Sequence, residues 1–258
     1  MMQKVIDFSK HTSLKIGGEH CVRILEEVGK DFDERLIGGG NNILLSPDAK
    51  SLCMLGKQFD YIKDQGDWIE IGGATSSGKI YSFFKKNNLW GVEFLRGLPG
   101  KLGGLVRMNA GMKSYEMKDA LSSVYVDGVW KSIDQFDFKY RQSGIDGVIY
   151  GARFKKITGF RYELIESFEN MRQTHPHLPS CGSCFKNPHG DYAGRLLESV
   201  GLKGYSLGGV GFSQSHANFL VNLGNGKFDE AMKLISLAQK RVWEEHGIFL
   251  ECEVIILK

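Results

Sequence analysis

Residues 97–111 read Gly-Leu-Pro-Gly-Lys-Leu-Gly-Gly-Leu-Val-Arg-Met-Asn-Ala-Gly, and this stretch decides the fold. Its glycines disfavour a regular helix or strand, because glycine loses more backbone entropy on ordering than any other residue. A glycine-rich loop lets main-chain N–H groups approach an anion or a flat ring without an intervening Cβ. The stretch therefore predicts a cofactor loop, and a surface loop that needs positive φ at several positions is the alternative.

A second glycine cluster, Gly38-Gly-Gly-Asn-Asn42, lies between the apolar runs Leu36-Ile37 and Ile43–Leu45. The pattern predicts strand, tight turn and strand, and asparagine tolerates the left-handed conformation that such turns use. A rigid turn of this kind is suited to binding a pyrophosphate. Its spacing differs from G-x-G-x-x-G and no helical pattern follows, so a Rossmann fold is disfavoured. A plain hairpin turn remains the alternative.

Composition favours a protein with a small-molecule partner. The chain has 258 residues and a net charge of +3, from 33 basic and 30 acidic side chains, which is too balanced for a nucleic-acid reader. The first residues lack an apolar segment with a small-residue cleavage site, and no run approaches the roughly 18 apolar residues of a membrane span. We expect a cytoplasmic protein with five reduced cysteines.

Short strands and glycine turns dominate the chain to about residue 157. Strand patterns cover 21–25, 68–74 and 148–154, a helical pattern covers 79–88, and Asp127-Gly128 separates two strand-like runs in 123–133 as a hairpin signal. This half is therefore expected to be α+β with much antiparallel sheet.

The segment Phe136–Ser143 alternates apolar and polar residues. Period-2 alternation predicts that Arg141 stands at the end of a rigid strand, opposite the face of Tyr140. A fixed guanidinium binds carboxylate or phosphate bidentately. A solvated surface arginine is the alternative.

Composition changes over 157–171, where we place the domain boundary. Beyond it, Cys181-x-x-Cys184 lies near three histidines, His175, His177 and His189. Zinc ligation or redox exchange would use such residues, but the ligand spacing and the missing βαβ pattern favour two buried or lining thiols.

The rest of the chain predicts a small α/β unit. A helix is predicted over 191–200 with Asp191 as its N-cap, a strand over 218–222, and an amphipathic helix over 228–246. A last strand over 249–257 would place Glu251 and Glu253 on one face. Apolar neighbours would raise the pKa of a glutamate in this strand and make it a proton donor, whereas a charged edge strand is the alternative.

Taken in order, eight motifs resemble the UDP-N-acetylenolpyruvoylglucosamine reductase family of bacterial cell-wall flavoenzymes. They span nearly the whole chain: Thr12–Gly18, Gly38–Asn42, Gly97–Gly104 with Asn109–Gly111, Tyr140–Ser143, Gly182–Pro188, Ala193–Leu196, His216–Phe219 and Glu253-Val254.

The resemblance implies a two-part FAD-binding region of the vanillyl-alcohol-oxidase/PCMH-like class, followed by a small α/β substrate-binding domain. The domains would be 1–165, with subdomains of about 1–48 and 49–165, and 166–258, whose last strand reaches the active site. NADPH would reduce FAD, and the hydride would pass to the enolpyruvyl group of UDP-N-acetylglucosamine-enolpyruvate. The product would be UDP-N-acetylmuramate, a peptidoglycan precursor.

Carried over by position, Ser183 would donate a proton, and Arg141 and Glu253 would stabilise the enolic intermediate. FAD would be held by Gly38, Gly39, Gly40, Asn41, Asn42, Gly97, Gly100, Gly103, Gly104 and Asn109. Substrate contacts would come from Tyr140, Asn187, Arg195 and Gln214. We expect a monomer that binds small molecules and no nucleic acid, membrane or metal ion.

Four residues depart from the family pattern. Asn41 stands where serine is common, Lys101 where a small hydroxyl residue is frequent, Cys252 where proline often precedes the glutamate, and Ile255 where a basic residue is frequent. The link from 154 to 183 is short, which indicates the branch without a substrate lid. Two other functions remain open, a flavin-dependent oxidase of the same cofactor fold and a zinc- or ligand-binding module without catalysis.

Overall fold

The computed structural model describes residues 2–29 and 33–258. Contacts between Cα atoms divide the chain into two compact units. The first unit comprises Met1–Lys4, Val22–Gly39 and Ser51–Gln173, and the second comprises Val5–Cys21, Gly40–Lys50 and Thr174–Lys258. The predicted domains, 1–165 and 166–258, differ from these units in that two early segments belong with the C-terminal part of the chain.

The chain contains both strands and helices, and the strands mostly follow one another in runs, as expected for an α+β protein. The strands are β1 (Met2–Asp7), β2 (Glu19–Leu25), β3 (Arg35–Leu36), β4 (Ile43–Leu45), β5 (Leu52–Leu55), β6 (Ile62–Asp64), β7 (Trp68–Gly72), β8 (Gly111–Met112), β9 (Tyr115–Glu116), β10 (Leu121–Val126), β11 (Val129–Ser132), β12 (Ile149–Lys155), β13 (Ser180–Ser183), β14 (Ser206–Leu207), β15 (Val210–Phe212), β16 (Phe219–Asn222) and β17 (Ile255–Leu257). The helices are α1 (Phe8–His11), α2 (Ser77–Lys86), α3 (Leu102–Arg107), α4 (Met117–Ala120), α5 (Glu163–Arg172), α6 (Ala193–Ser199) and α7 (Phe228–His246), with 3-10 turns at Lys57–Phe59, Glu93–Arg96 and Ile133–Gln135.

The first unit is built on a five-stranded antiparallel sheet in the order β11-β10-β12-β7-β6. Its hairpin between β10 and β11 confirms the Asp127-Gly128 signal, since both residues have positive φ, +50° and +84°. That backbone twist matches the twist of the strands that it joins. Helix α2 confirms the helical pattern, with Ile80 and Phe84 fully buried in the core of this unit.

A four-stranded sheet has the order β1-β2-β5-β3, and within the first unit β5 pairs in parallel with both β2 and β3. The strands that flank Gly38–Asn42 have different partners: β3 pairs with β5, whereas β4 pairs in parallel with β17. The hairpin alternative for residues 36–45 is wrong. The glycine turn is a crossover loop, in which the chain leaves the first unit and enters the second.

The second unit has a four-stranded sheet in the order β13-β16-β15-β14 and the separate pair β17-β4. Helix α7 lies on its core through the stripe that its periodicity predicts, Ala231, Leu234, Ile235, Ala238 and Val242, all buried. The helix ends at Gly247 in the left-handed conformation. Across residues 2–29 and 33–258, no helix combines the length and the apolar character needed to cross a membrane.

Candidate active site

The two glycine loops meet in the first unit. A Cβ added to Gly38 would lie 3.8 Å from the Lys101 Cβ and 4.0 Å from the Gly104 backbone nitrogen. A Cβ added to Gly104, which is exposed, would have no atom within 4 Å. The backbone is therefore accessible on both loops at the place where they approach one another.

Several N–H groups of these loops are available to a ligand. Gly104 is the third residue of α3 and precedes the first helical hydrogen bond, which Leu105 donates to the Lys101 carbonyl. Within the described residues, the N–H groups of Gly100, Lys101 and Gly104 donate to no backbone carbonyl, and neither do those of Gly38 and Gly39. Such groups bind an anion when it approaches closely.

The other glycines of the stretch shape the loop. Gly103 donates to the Gly73 carbonyl at 2.9 Å, and a Cβ there would lie 3.3 Å from the Ile149 carbonyl oxygen. Gly100 has φ of +152° and lies against Leu105. Gly97 ends a 3-10 turn, and a Cβ there would lie 2.8 Å from Arg172 Cδ.

Gly40, Asn41 and Asn42 lie in the second unit. Gly40 has φ of +69°, and a Cβ there would press against Thr12 Cα at 3.3 Å. The side-chain amide of Asn41 donates to Ser13 Oγ at 2.7 Å, and that of Asn42 donates to the Glu253 carbonyl at 2.9 Å. The two asparagines thus fix the loop through their side chains, and within the described residues the N–H groups of Gly40 and Asn41 donate to no backbone carbonyl.

Asn109 is fully buried, and its side chain bonds to protein on every side that the structure describes. Its Nδ2 donates to Glu116 Oε2 at 2.9 Å and to the Lys139 carbonyl at 3.1 Å, while its Oδ1 accepts from the Lys118 N–H at 3.1 Å. Both amide hydrogens are therefore used within the first unit. The predicted role of Asn109 in holding FAD rests on its motif and not on a free side chain.

Arg141 lies in a tight turn of the first unit, so the predicted strand over Phe136–Ser143 is wrong. Lys139 and Gln142 exchange two backbone hydrogen bonds, at 2.8 and 3.1 Å, and close a two-residue turn over Tyr140 and Arg141. Arg141 has φ of +57°, its guanidinium lies over the Tyr140 ring at 4.9 Å, and its Nη1 donates to the Gly111 carbonyl at 3.4 Å. Among the residues that the structure describes, no neighbouring strand pairs with Phe136–Ser143.

Ser183 ends strand β13 of the second unit and is partly exposed. It pairs with Phe219, while Ser180 pairs with Val221, so β13 carries one more residue than β16 between the two pairs. Gly182 takes this β-bulge with φ of +84°, and its N–H donates to Ser180 Oγ at 3.1 Å. Bulges re-aim the side chain next to them, which here is the Ser183 hydroxyl.

Glu253 lies in a bend of the second unit, and the predicted strand over 249–257 is wrong in length. Only Ile255–Leu257 form a strand, because Glu253 and Val254 both donate their N–H groups to the Cys184 carbonyl, at 2.8 and 3.3 Å, and so turn the chain. The Glu253 side chain is partly exposed. Its backbone is thus tied to the residue that follows Ser183.

Cys181 and Cys184 are buried free thiols, as preferred from the sequence. Burial raises the pKa of Cys181 to about 12 and raises that of Cys184 as well. The thiols are therefore protonated at neutral pH. In the described ranges, no three His, Cys, Asp or Glu side chains are placed to hold a metal ion together.

The weaker substrate candidates are mostly exposed. In the second unit, Asn187 Oδ1 accepts from the Ala193 N–H at 3.1 Å and so caps α6, which makes the predicted N-cap role of Asp191 wrong. Asp191 forms an ion pair with Arg195, and the hydrogen bond from the Arg195 guanidinium lowers the pKa of Asp191 to about 2. Gln214 lies against Gly204, and in the first unit Tyr140 is 46% exposed.

A histidine pair near Ser183 was not assigned from the sequence. His175 and His216 both contact the Phe219 ring, with centroid distances of 4.7 and 4.8 Å, and Phe219 is the strand partner of Ser183. Burial lowers the pKa of His216. The motif His216–Phe219 was the available signal, but the arrangement depends on the distant His175.

A family model matches the C-terminal part of the chain. Residues 173–257 match the C-terminal domain of UDP-N-acetylenolpyruvoylglucosamine reductase.

Proteins named UDP-N-acetylenolpyruvoylglucosamine reductase are similar to the chain over its length. That of Helicobacter hepaticus is 54% identical and that of Helicobacter pylori 52%, each with 100% of both chains covered. That of Campylobacter jejuni is 45% identical over 98% of this chain and 100% of its own. The crystal structure of the Thermus caldophilus enzyme, also called MurB, matches with a TM-score of 0.86 at 29% identity, with both chains fully covered. The chain therefore belongs to the UDP-N-acetylenolpyruvoylglucosamine reductase family.

Proposed function

We propose that this protein reduces the enolpyruvyl double bond of UDP-N-acetylenolpyruvoylglucosamine and gives UDP-N-acetylmuramate for peptidoglycan synthesis. The observation that carries the proposal is the identity of 54% and 52%, over both full chains, to proteins that are named for this activity. The proposed partners are small molecules only, and we expect a cytoplasmic monomer.

The proposed cofactor is FAD, in a binding region of the vanillyl-alcohol-oxidase/PCMH-like class, with NADPH as the hydride donor. Bound FAD would supply hydride transfer, from NADPH to the substrate. The first unit fits the diphosphate of such a cofactor, because Gly38, Lys101 and Gly104 leave N–H groups without backbone acceptors where the two loops approach. The missing Cβ atoms of Gly38 and Gly104 leave room for an anion beside those groups.

Arg141 would stabilise the negative charge that builds up on the substrate. Hydride addition to the enolpyruvyl group leaves an enolate-like dianion, which needs fixed positive charge nearby. The Arg141 guanidinium is held by the Gly111 carbonyl and the Tyr140 ring, so little reorganisation is needed when the charge develops.

Ser183 would donate the proton to the carbanionic carbon next to the carboxylate. A hydroxyl is a weak acid, so it contributes only when its position is fixed and the carbanion is stabilised. The β-bulge at Gly182 fixes that position.

Glu253 would act as a second stabilising group, in its protonated form, for the enolic oxygen. Its backbone is held by the Cys184 carbonyl and by Asn42, which restricts where the carboxyl group reaches. A neutral carboxylic acid donates a hydrogen bond to an enolate, whereas a carboxylate would repel it.

The test is anaerobic stopped-flow absorbance of the flavin, with each half-reaction followed separately in wild type and Ser183→Ala. NADPH should reduce both proteins at the same rate, while reoxidation by the enolpyruvyl sugar nucleotide should be at least ~10²-fold slower in the variant. Ser206→Ala, at an exposed serine on β14 of the same sheet, is the matched control and should react as wild type.

Two outcomes would contradict the proposal. If the purified protein binds no flavin, the cofactor assignment fails. If reduced wild-type enzyme ignores the sugar nucleotide but reacts fast with oxygen, a flavin-dependent oxidase replaces the reductase.

A further inference from the structure

Asn109 is built into the first unit in an unusual way. It is a buried non-glycine residue with φ of +40°, a conformation that needs support from its surroundings. Its three partners are two acceptors and one donor, which fixes the orientation of the amide group. No amide hydrogen is left over for a cofactor.

One of those partners belongs to the turn that presents Arg141. The Lys139 carbonyl accepts from Asn109 and also from Gln142, whose N–H closes the turn. On the other side of the turn, Ser143 donates its N–H to the Arg107 carbonyl at 3.1 Å, at the C-terminus of α3. The turn is thus attached at both ends to α3 and the loop that follows it.

Arg141 depends on this attachment. Its own φ of +57° is disfavoured for a side chain with a Cβ, and its Nη1 bond to the Gly111 carbonyl is long at 3.4 Å. The side-chain bonds of Asn109, at 2.9–3.1 Å, link the loop that leads to Gly111 with Lys139, which begins the turn that carries Arg141.

We propose that Asn109 is a positioning residue for Arg141, acting through its side chain, and that this side chain is not a ligand of the flavin. This inference rests on the proposed function, since it assigns Asn109 to the step in which charge develops on the enolpyruvyl group. The backbone of Asn109 remains part of the glycine-rich loop, and only the role of its side chain changes.

The test compares Asn109→Ala with wild type in three measurements, the FAD dissociation constant, the rate of flavin reduction by NADPH, and the rate of reoxidation by the enolpyruvyl sugar nucleotide. The expected result is reoxidation slower by ~10–10²-fold, with the other two quantities within about 2-fold, because a misplaced group slows chemistry without weakening cofactor binding. Adding Asn109→Ala to Arg141→Ala should slow reoxidation by less than about 3-fold more, since both act through one guanidinium.

Asn222→Ala is the matched control. Asn222 is a buried asparagine of the second unit, whose side chain donates to the Leu14 and Lys15 carbonyls and accepts from the Gly224 and Gly226 N–H groups. It should lower the melting temperature about as much as Asn109→Ala, yet leave reoxidation of the flavin-loaded enzyme within about 2-fold of wild type. Slower reoxidation in both variants alike would mean that general destabilisation, and not positioning, explains the effect.

Other outcomes also decide the question. If the FAD dissociation constant of Asn109→Ala is tenfold larger and reoxidation is normal at saturating flavin, Asn109 is a flavin ligand and the proposal is overturned. If Asn109→Ala does not fold, Asn109→Ser replaces it in the same measurements, because serine keeps one donor in a smaller volume. Loss of flavin binding by a variant that folds also overturns the proposal. Failure of the proposed function is separate, since it would appear in wild type as reduced flavin that the sugar nucleotide does not reoxidise.

Discussion

The substitution Gly38→Ala should weaken binding of the proposed cofactor without destabilising the folded protein. The added methyl group would lie 3.8 Å from Lys101 Cβ and 4.0 Å from the Gly104 nitrogen, which is ordinary van der Waals contact. Gly38 does not have positive φ, so alanine is compatible with its backbone. Fewer unfolded conformations should then raise the unfolding free energy of the apoprotein by up to ~0.4–1 kcal/mol.

The same methyl group should weaken cofactor binding. It would fill the space beside the Gly104 N–H, which donates to no backbone carbonyl within the described part of the chain. Losing one hydrogen bond to a charged group costs ~1.5–3 kcal/mol, so the FAD dissociation constant should rise by about 10–100-fold.

The assay is fluorescence titration of apoprotein with FAD, together with urea unfolding of the same apoprotein. Gly78→Ala is the control, because Gly78 is an exposed position in α2 with no atom within 4 Å of an added Cβ. It should stabilise the protein to a similar degree and leave FAD affinity unchanged. An FAD dissociation constant of Gly38→Ala within 2-fold of wild type would refute the proposed cofactor site at Gly38 and Gly104.

Two further predictions concern stability and thiol chemistry. Glu93 is fully buried and accepts from the Arg161 N–H and Nε at 3.0 and 3.2 Å and from the Gly91 N–H at 3.0 Å. Glu93→Ala should therefore lower the unfolding free energy by ~1–3 kcal/mol, because it leaves these donors without their acceptor. A loss under 1 kcal/mol in urea unfolding would contradict this. Burial that raises the pKa of Cys181 to about 12 leaves only ~10⁻⁴ of that thiol ionised at pH 8, so a thiol reagent should modify the exposed Cys21 first in native protein. Peptide mass mapping after timed labelling checks the order, and early labelling of Cys181 would show that it is not buried in solution.

The sequence predicted best where structure follows from neighbours along the chain. Helix α7 spans the predicted residues, because its apolar stripe, 19-residue length and terminal glycine all agree. The hairpin at Asp127-Gly128 followed from two residues that tolerate positive φ. These elements are specified within about 20 residues, as helix periodicity and turn chemistry are.

Arg141 shows why other predictions failed. The alternation around it is that of a strand, but a strand needs a partner, and the actual partners are Asn109, Gly111 and Arg107, which lie some 30 residues earlier. Arg141 was assigned to the site from its motif, while its conformation depends on contacts that no local pattern carries.

The predicted strand around Glu253 was wrong for a related reason. Alternation predicted a nine-residue strand, yet two consecutive N–H groups share the Cys184 carbonyl and end the regular pattern before Ile255. The pairing of Ile255–Leu257 with β4 lies about 210 residues away along the chain. The sequence pattern pointed to Glu253 as a candidate, but it could not predict the bend in which Glu253 lies.

The discontinuous make-up of the second unit has a consequence for biosynthesis. Ile43–Leu45 leave the ribosome about 210 residues before the strand that pairs with them, Ile255–Leu257. At 5–20 residues per second this delay is on the order of 10–40 s, during which an apolar strand has no permanent partner. The unit cannot be completed vectorially, and the nascent chain must be kept from aggregating through that interval. A fragment that begins near residue 174 would lack Val5–Cys21 and Gly40–Lys50, so we expect the segment matched as a C-terminal domain not to fold by itself.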